Sequence, residues 1–274
     1  MQVGIFAKTF PELGARPVLT AARNAGYAAV QFNMACMGLP TMPDEIAAEM
    51  ARDVATASHE TGVAIAALSG TYNMIHPDRS VRADGLRRLA VIIAAAQKMG
   101  VPMVTLCTGT RDAQDQWKHH PDNVTPEAWA DLRTEMQKAV QLAEAHGVVL
   151  GIEPELANVI CSATHARKLI DEMKSSALRI VLDPANLFEV ETDARRRDII
   201  AQAVDLLADR IAMAHAKDRD ARGDFVAAGT GVIDLSHFIT RLKASGFNGP
   251  LITHGLTASE APDVAQFLNR IVAA

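Results

Sequence analysis

Two textures alternate along the chain. Short, nearly unbroken apolar runs are separated by longer stretches in which apolar residues recur at helical spacing. The runs are Val3 to Ala7, Ala28 to Phe32, Ala64 to Leu68, Met103 to Leu106, Val149 to Ile152, Arg179 to Leu182, Ile211 to Ala214 and Leu251 to Thr253. Unbroken rather than alternating apolar character is the mark of parallel strands covered on both faces. Each run is followed by a helix-compatible segment, so the pattern predicts strand and helix in strict alternation.

A repeated phrase marks the return from helix to strand. Asn24-Ala-Gly26, Thr61-Gly62-Val63, Met99-Gly100-Val101, His146-Gly147-Val148 and Ser245-Gly246-Phe247 each put a glycine where a helix should end in the left-handed conformation. Helix starts are predicted at Pro43-Asp-Glu, Thr125-Pro-Glu and Ser162-Ala-Thr, where proline, hydroxyls and acids suit the first turn.

Eight strand–helix units predict an α/β fold, a (βα)8 barrel formed as one domain over residues 1–274, a length usual for such barrels. Alternating units also build doubly wound sheets. However, no GxGxxG follows the first strand and no GxxxxGK[ST] occurs anywhere, which disfavours a nucleotide fold. An apolar fraction of 49% suffices for a large core, and a net charge of -5 argues against nucleic acid or anionic lipid as a partner. Met1 to Ala7 lacks a basic leader and no apolar run is long enough to span a bilayer, so a cytoplasmic, soluble protein is expected. Cys36, Cys107 and Cys161 are odd in number and share no CxxC spacing, which reads as reduced thiols without assigned chemistry. Arg195-Arg-Arg197 reads as a solvated helix turn, and His59, His146, His165 and His237 as structural residues of helices.

In a barrel, reacting groups sit where the strands end. The last four runs end in Gly151-Ile-Glu153-Pro-Glu155, Leu182-Asp183-Pro-Ala-Asn186, Ala214-His215-Ala-Lys217-Asp218 and Thr253-His254. Singly, each could be a hydrogen-bonded strand end. Together, two carboxylates and two imidazoles closing neighbouring strands are hard to reconcile with packing, because buried charge without a partner or metal costs several kcal/mol. Hard and borderline divalent cations such as Mn²⁺, Mg²⁺, Co²⁺ and Zn²⁺ take oxygen and imidazole ligands. One such ion is the expected cofactor, with Glu153, Asp183, His215 and His254 as candidate ligands.

Over nearly the whole chain the order of these residues resembles the xylose isomerase-like barrel superfamily, in its sugar phosphate isomerase/epimerase branch with ketose 3-epimerases and inosose dehydratases. The matching elements are Glu153, Leu182-Asp183-Pro-Ala-Asn186, His215-Ala-Lys217-Asp218, Gly229-Thr-Gly-Val-Ile-Asp234 and Gly246-Phe-Asn-Gly-Pro-Leu251. The resemblance implies that Glu153, Asp183 and His215 hold the metal and that the substrate is a small sugar, sugar phosphate or polyol. It also implies a homo-oligomer, dimer or tetramer. The chain departs at the eighth strand, where these families place a glutamate that is both ligand and acid/base. Here His254 stands in its place, able to bind a divalent ion or shuttle a proton. Asn186 stands where some relatives carry histidine.

The expected chemistry is isomerisation or epimerisation by metal-assisted proton transfer through an enediolate, with Glu153 as base. His254 would return a proton in an epimerase; Lys217 and Asp218 would help in an isomerase or dehydratase. Substrate contacts are expected from Glu155, Asn186, Asp218 and Arg219, and from the polar loops after the third and fourth strands through Asn73, His76, Trp117, His119 and His120. A non-catalytic polyol-binding barrel is a second reading, motivated by His254. A nuclease of the endonuclease IV type, which shares the barrel, is disfavoured by the acidic balance and by Asp224-Phe-Val in place of a DxH pair.

Overall fold

A computed structural model describing residues 1–274 shows the eight apolar runs as the eight parallel strands of a closed barrel. In chain order the elements are β1 (Gln2–Phe6), α1 (Ala15–Asn24), β2 (Ala29–Phe32), α2 (Ala48–Thr61), β3 (Ala64–Ser69), α3 (Arg79–Met99), β4 (Met103–Leu106), α4 (Pro126–His146), β5 (Val149–Ile152), α5 (Ala163–Met173), β6 (Leu178–Leu182), α6 (Asp193–Leu207) and β7 (Ile211–Ala216). A two-residue hairpin, β8 (Asp218–Arg219) and β9 (Phe225–Val226), precedes α7 (Leu235–Ala244), β10 (Pro250–Thr253) and α8 (Ala261–Ala273). The barrel closes by parallel pairing of β10 with β1, Gly4 opposite Ile252. This is the (βα)8 architecture that the eight runs predict.

The repeated glycine phrase has the expected cause. Gly62 and Gly147 end α2 and α4 with φ of 68° and 65°, where a Cβ would be strained, and the other three glycines also have positive φ. Thr125 and Ser162 cap α4 and α5 by accepting from Ala128 N and His165 N, as predicted. The start predicted at Pro43 is not observed: α2 begins at Ala48 and residues 43–47 are irregular. Here a tertiary contact overrides local preference, because the Asp44 carboxylate is engaged by Arg87 and Arg88 of α3.

Two apolar cores result. The larger comprises 70 buried residues and includes the apolar faces that the helices turn to the outside of the barrel. The smaller lies inside the barrel and joins Ala29, Ala67, Met103, Val181, Met213 and Ile252. Gly4 and Gly151 complete that interior floor because nothing larger fits. A Cβ on Gly4 would lie 2.6 Å from the Ala29 carbonyl oxygen, and one on Gly151 would lie 2.7 Å from Val181. Above the floor, the next inward position on each strand, two residues on, is Phe6, Gln31, Ser69, Thr105, Glu153, Asp183, His215 or His254. Polar side chains therefore gather at the C-terminal end, over an apolar plug. No helix is long and apolar enough to cross a membrane.

Candidate metal and active site

Glu153, Asp183, His215 and His254 follow or end β5, β6, β7 and β10, strands adjacent in the order β5–β6–β7–β10. One ligand atom from each lies within 4.8 Å of all the others. His215 Nδ1 is 3.1 Å from Glu153 Oε1 and 3.9 Å from Asp183 Oδ2, and His254 Nε2 is 3.3 Å from Asp183 Oδ2. Asp183 is 0% exposed, and neither it nor Glu153 has a lysine or arginine within 4.0 Å. Two carboxylates with no permanent cation in ion-pair reach, facing two imidazoles, are the donor set of a borderline divalent cation. The residues present fit such an ion.

Neighbours hold each member in place. His215 Nε2 meets Gln31 Oε1 at 3.1 Å, while Gln31 Nε2 donates to Ser69 and Thr105 hydroxyls at 3.1 Å each. With Nε2 donating to Gln31, the lone pair of a neutral His215 lies on Nδ1, toward the carboxylates. Asp183 Oδ1 accepts from Ala185 N at 2.9 Å, which leaves Oδ2 for the imidazoles. Asn186 Nδ2 donates to Glu153 Oε1 at 2.8 Å. His254 stacks on Phe6 with centroids 4.4 Å apart and an interplanar angle of 12°.

Burial and charge oppose one another within the cluster. Burial raises the Asp183 carboxyl, but the hydrogen bond and charge of His254, with Lys217 and His215, bring it down to about 2. For His215, burial pulls the pKa down while Glu153 and Asp183 more than compensate, leaving it above its ordinary value. For His254, burial dominates and the pKa falls, against the pull of Asp183. Glu155 lines the same mouth; burial, then the charges of Glu153 and Asp183, push it up to about 9 against Lys217, so its carboxyl is protonated near neutrality.

The mouth above the cluster is a cavity of about 660 Å³. Of the sequence-derived contact residues, Trp117, Glu155, Asn186, Lys217 and Arg219 line it with Glu153 and His254. Lys217 Nζ and Arg219 both pack on the Phe225 ring, Nζ 3.2 Å from its centroid, and Arg219 also donates to the carbonyls of Ala185 and Gly223. Other expected contacts lie elsewhere. Asn73 Oδ1 accepts from Thr110 N and Ile75 N, and His76 bridges Ala113 O and Asp78 N, so both organise the neighbouring loops. His119 lines a separate pocket, and His120 caps the short 3-10 helix at 121–124. Asp218 is fully buried, and its two oxygens accept from the amides of Arg219, Gly229, Gly231 and Ile233, which leaves no oxygen for a substrate. Cys107 is buried and burial raises its thiol, consistent with a small core residue.

Sequence reasoning missed Phe6, Gln31 and Thr105. Their signal was the inward phase of strands β1, β2 and β4: Gln31 interrupts Ala29-Val-Gln-Phe32 at the same phase that carries the acids and imidazoles later in the chain.

A family model described as the xylose isomerase-like TIM barrel matches residues 19–270. The chain belongs to that family. No curated protein matches the sequence. Among solved structures, 3-keto-D-glucoside 4-epimerase from E. coli superposes on this family member with a TM-score of 0.78 at 18% identity, covering 98% of this chain and 99% of that one. D-allulose 3-epimerase from Methylomonas sp. gives 0.74 at 16% identity, with 99% and 98% covered. D-psicose 3-epimerase from Clostridium cellulolyticum H10, solved with D-tagatose, gives 0.74 at 14% identity, with 99% of both chains covered. Identities this low express likeness of fold.

Proposed function

We propose that the protein is a divalent-metal-dependent sugar epimerase or isomerase acting by proton transfer at a carbon next to a carbonyl, through an enediolate. The observation that carries this reading is the four-residue cluster, with ligand atoms within 4.8 Å, on the floor of a polar mouth. Glu153, Asp183, His215 and His254 would hold the ion. When bound, a divalent cation supplies electrophilic polarisation of a substrate carbonyl and so acidifies the adjacent C–H.

The chain's own residues do the rest. Glu153 Oε2, the oxygen not bonded to Asn186, is the acceptor for the substrate proton. His254 stands at the other end of the cluster, with β6 and β7 between its strand and β5; where Glu153, Asp183 and His215 alone hold the ion, its imidazole would return a proton to the opposite face. Lys217, fixed over Phe225, and Arg219 present N–H donors to substrate oxygens. Sugar epimerase names among the structural neighbours agree with this assignment.

Metal-loaded protein incubated with ketoses and inososes in deuterated water should place solvent deuterium on a carbon next to the carbonyl, with about one ion bound per chain. Absence of exchange from every polyol tried would overturn the proposal. Retained exchange is also the result that a non-catalytic polyol-binding barrel cannot give.

Gln31 offers an independent check on the metal site. Gln31→Met keeps the volume but removes the acceptor for His215 Nε2 and the donor to Ser69 and Thr105. Metal affinity, measured by competition with a chelating dye, should fall by about 10- to 100-fold, while the melting curve keeps its shape. Unchanged affinity would mean that Gln31 does not orient His215.

A further inference from the structure

A second cleft of about 550 Å³ adjoins the mouth, between α3 and the loops that follow β3 and β4, and Gln116 and Trp117 line both spaces. Trp117 stands on the ridge between the two with half of its surface exposed, at 50%. An indole costs free energy when left in water on a rim, and the rim position puts one face within reach of either cavity.

The backbone that carries Trp117 is held in position. Asp115 Oδ1 accepts from Trp117 N at 2.9 Å, and Asp112 Oδ1 accepts from Gln114 N and Asp115 N. The start of the loop is tied down by Asn73, whose oxygen accepts from Thr110 N and whose amide donates to Asp112 O. Asn123 adds a bond to Arg111 N at 2.7 Å. A loop backbone restrained by consecutive side-chain caps has less freedom to lose when a ligand stacks on the indole it carries. The second cleft is polar as well as apolar, lined by Asp84, Arg88 and Gln114 together with Met42 and Val81. Such walls match a face-amphipathic ring with apolar C–H faces and a hydroxyl perimeter.

We propose that the substrate is a two-ring carbohydrate, a glycoside or disaccharide, with the reacting ring at the four-residue cluster and the second ring stacked on Trp117 in the adjoining cleft. The proposal rests on the sugar-epimerase reading for its first ring. Its second ring rests on the two cavities and the indole that joins them.

Binding separates the two claims. The chain has two tryptophans, so Trp129→Phe, at the start of α4 and lining neither cavity, leaves Trp117 as the sole indole reporter. Metal-loaded Trp129→Phe protein is titrated with D-fructose and with its two-ring derivatives isomaltulose and lactulose. The two-ring sugars should shift Trp117 emission and bind about tenfold more tightly than D-fructose. In wild-type background, Trp117→Ala should remove that advantage, weakening the two-ring sugars about tenfold and D-fructose by no more than about twofold when followed by calorimetry. Two-ring sugars that bind no more tightly than D-fructose, or a Trp117→Ala change that weakens both alike, overturns the inference, as does failure of every probe to bind. Tight, Trp117-dependent two-ring binding without deuterium exchange would instead leave only the second-ring subsite standing and overturn both the catalytic reading and the assignment of the two-ring sugar as substrate.

Discussion

Glu153→Gln is expected to slow solvent-deuterium exchange by about 10²- to 10⁴-fold, the range supplied by a positioned general base. The substitution preserves shape, and a glutamine oxygen can still accept from Asn186 Nδ2, so the fold should hold. It removes the charge that meets His215 Nδ1 at 3.1 Å, so metal affinity should fall too. Measuring exchange at saturating metal separates the two effects: a variant fully loaded with metal and still slow has lost its base. Wild-type exchange from the loaded variant would exclude Glu153 from proton transfer.

The largest loss of stability is expected from Asp218→Ala. Four backbone amides point at this one carboxylate: Arg219 and Ile233 at Oδ1, Gly229 and Gly231 at Oδ2, all at 2.9 to 3.0 Å. Alanine would leave these donors without their acceptor around a side chain that is 0% exposed. Each buried unsatisfied donor costs about 1–3 kcal/mol, so the loss should reach about 3 kcal/mol or more. For a chain of this length that lowers the melting temperature by roughly 6–12 °C. Thermal unfolding followed by circular dichroism reads it directly. A shift under about 2 °C would show that the loop finds other partners, and that the carboxylate is free for the substrate role its position in the sequence suggested.

These two residues show where the sequence was legible and where it was not. The strands were readable because parallel strands covered on both sides leave unbroken apolar runs, and the glycine after five of the helices marked the return to strand. Glu153, Asp183, His215 and His254 were readable because each ends such a run. Asp218 was not, although Gly229-Thr-Gly-Val-Ile-Asp234 was noticed: nothing local says that the amides of Gly229, Gly231 and Ile233 wrap a carboxylate eleven to fifteen residues earlier. The same holds for Asn73. As a loop asparagine it suggests a sugar contact, but in the folded chain it is buried and, with Asn123 and Asn158, pins the loops after β3, β4 and β5 to one another. A polar residue in a loop looks alike whether it faces a ligand or an amide from elsewhere in the chain, and only long-range proximity separates the two. The helix start misplaced at Pro43 belongs to the same class, since Arg87 and Arg88 engage Asp44 from more than forty residues away.

The apolar plug of Ala29, Ala67, Met103, Val181, Met213 and Ile252 turns the barrel into a vessel with one door. The plug closes off the base, so whatever occupies the chamber arrives and departs through the opening among the loops that carry Trp117, Lys217 and Arg219. Entry of one molecule must then wait on exit of the last, and the loops at that doorway, rather than the strands below, set how quickly the vessel can be emptied.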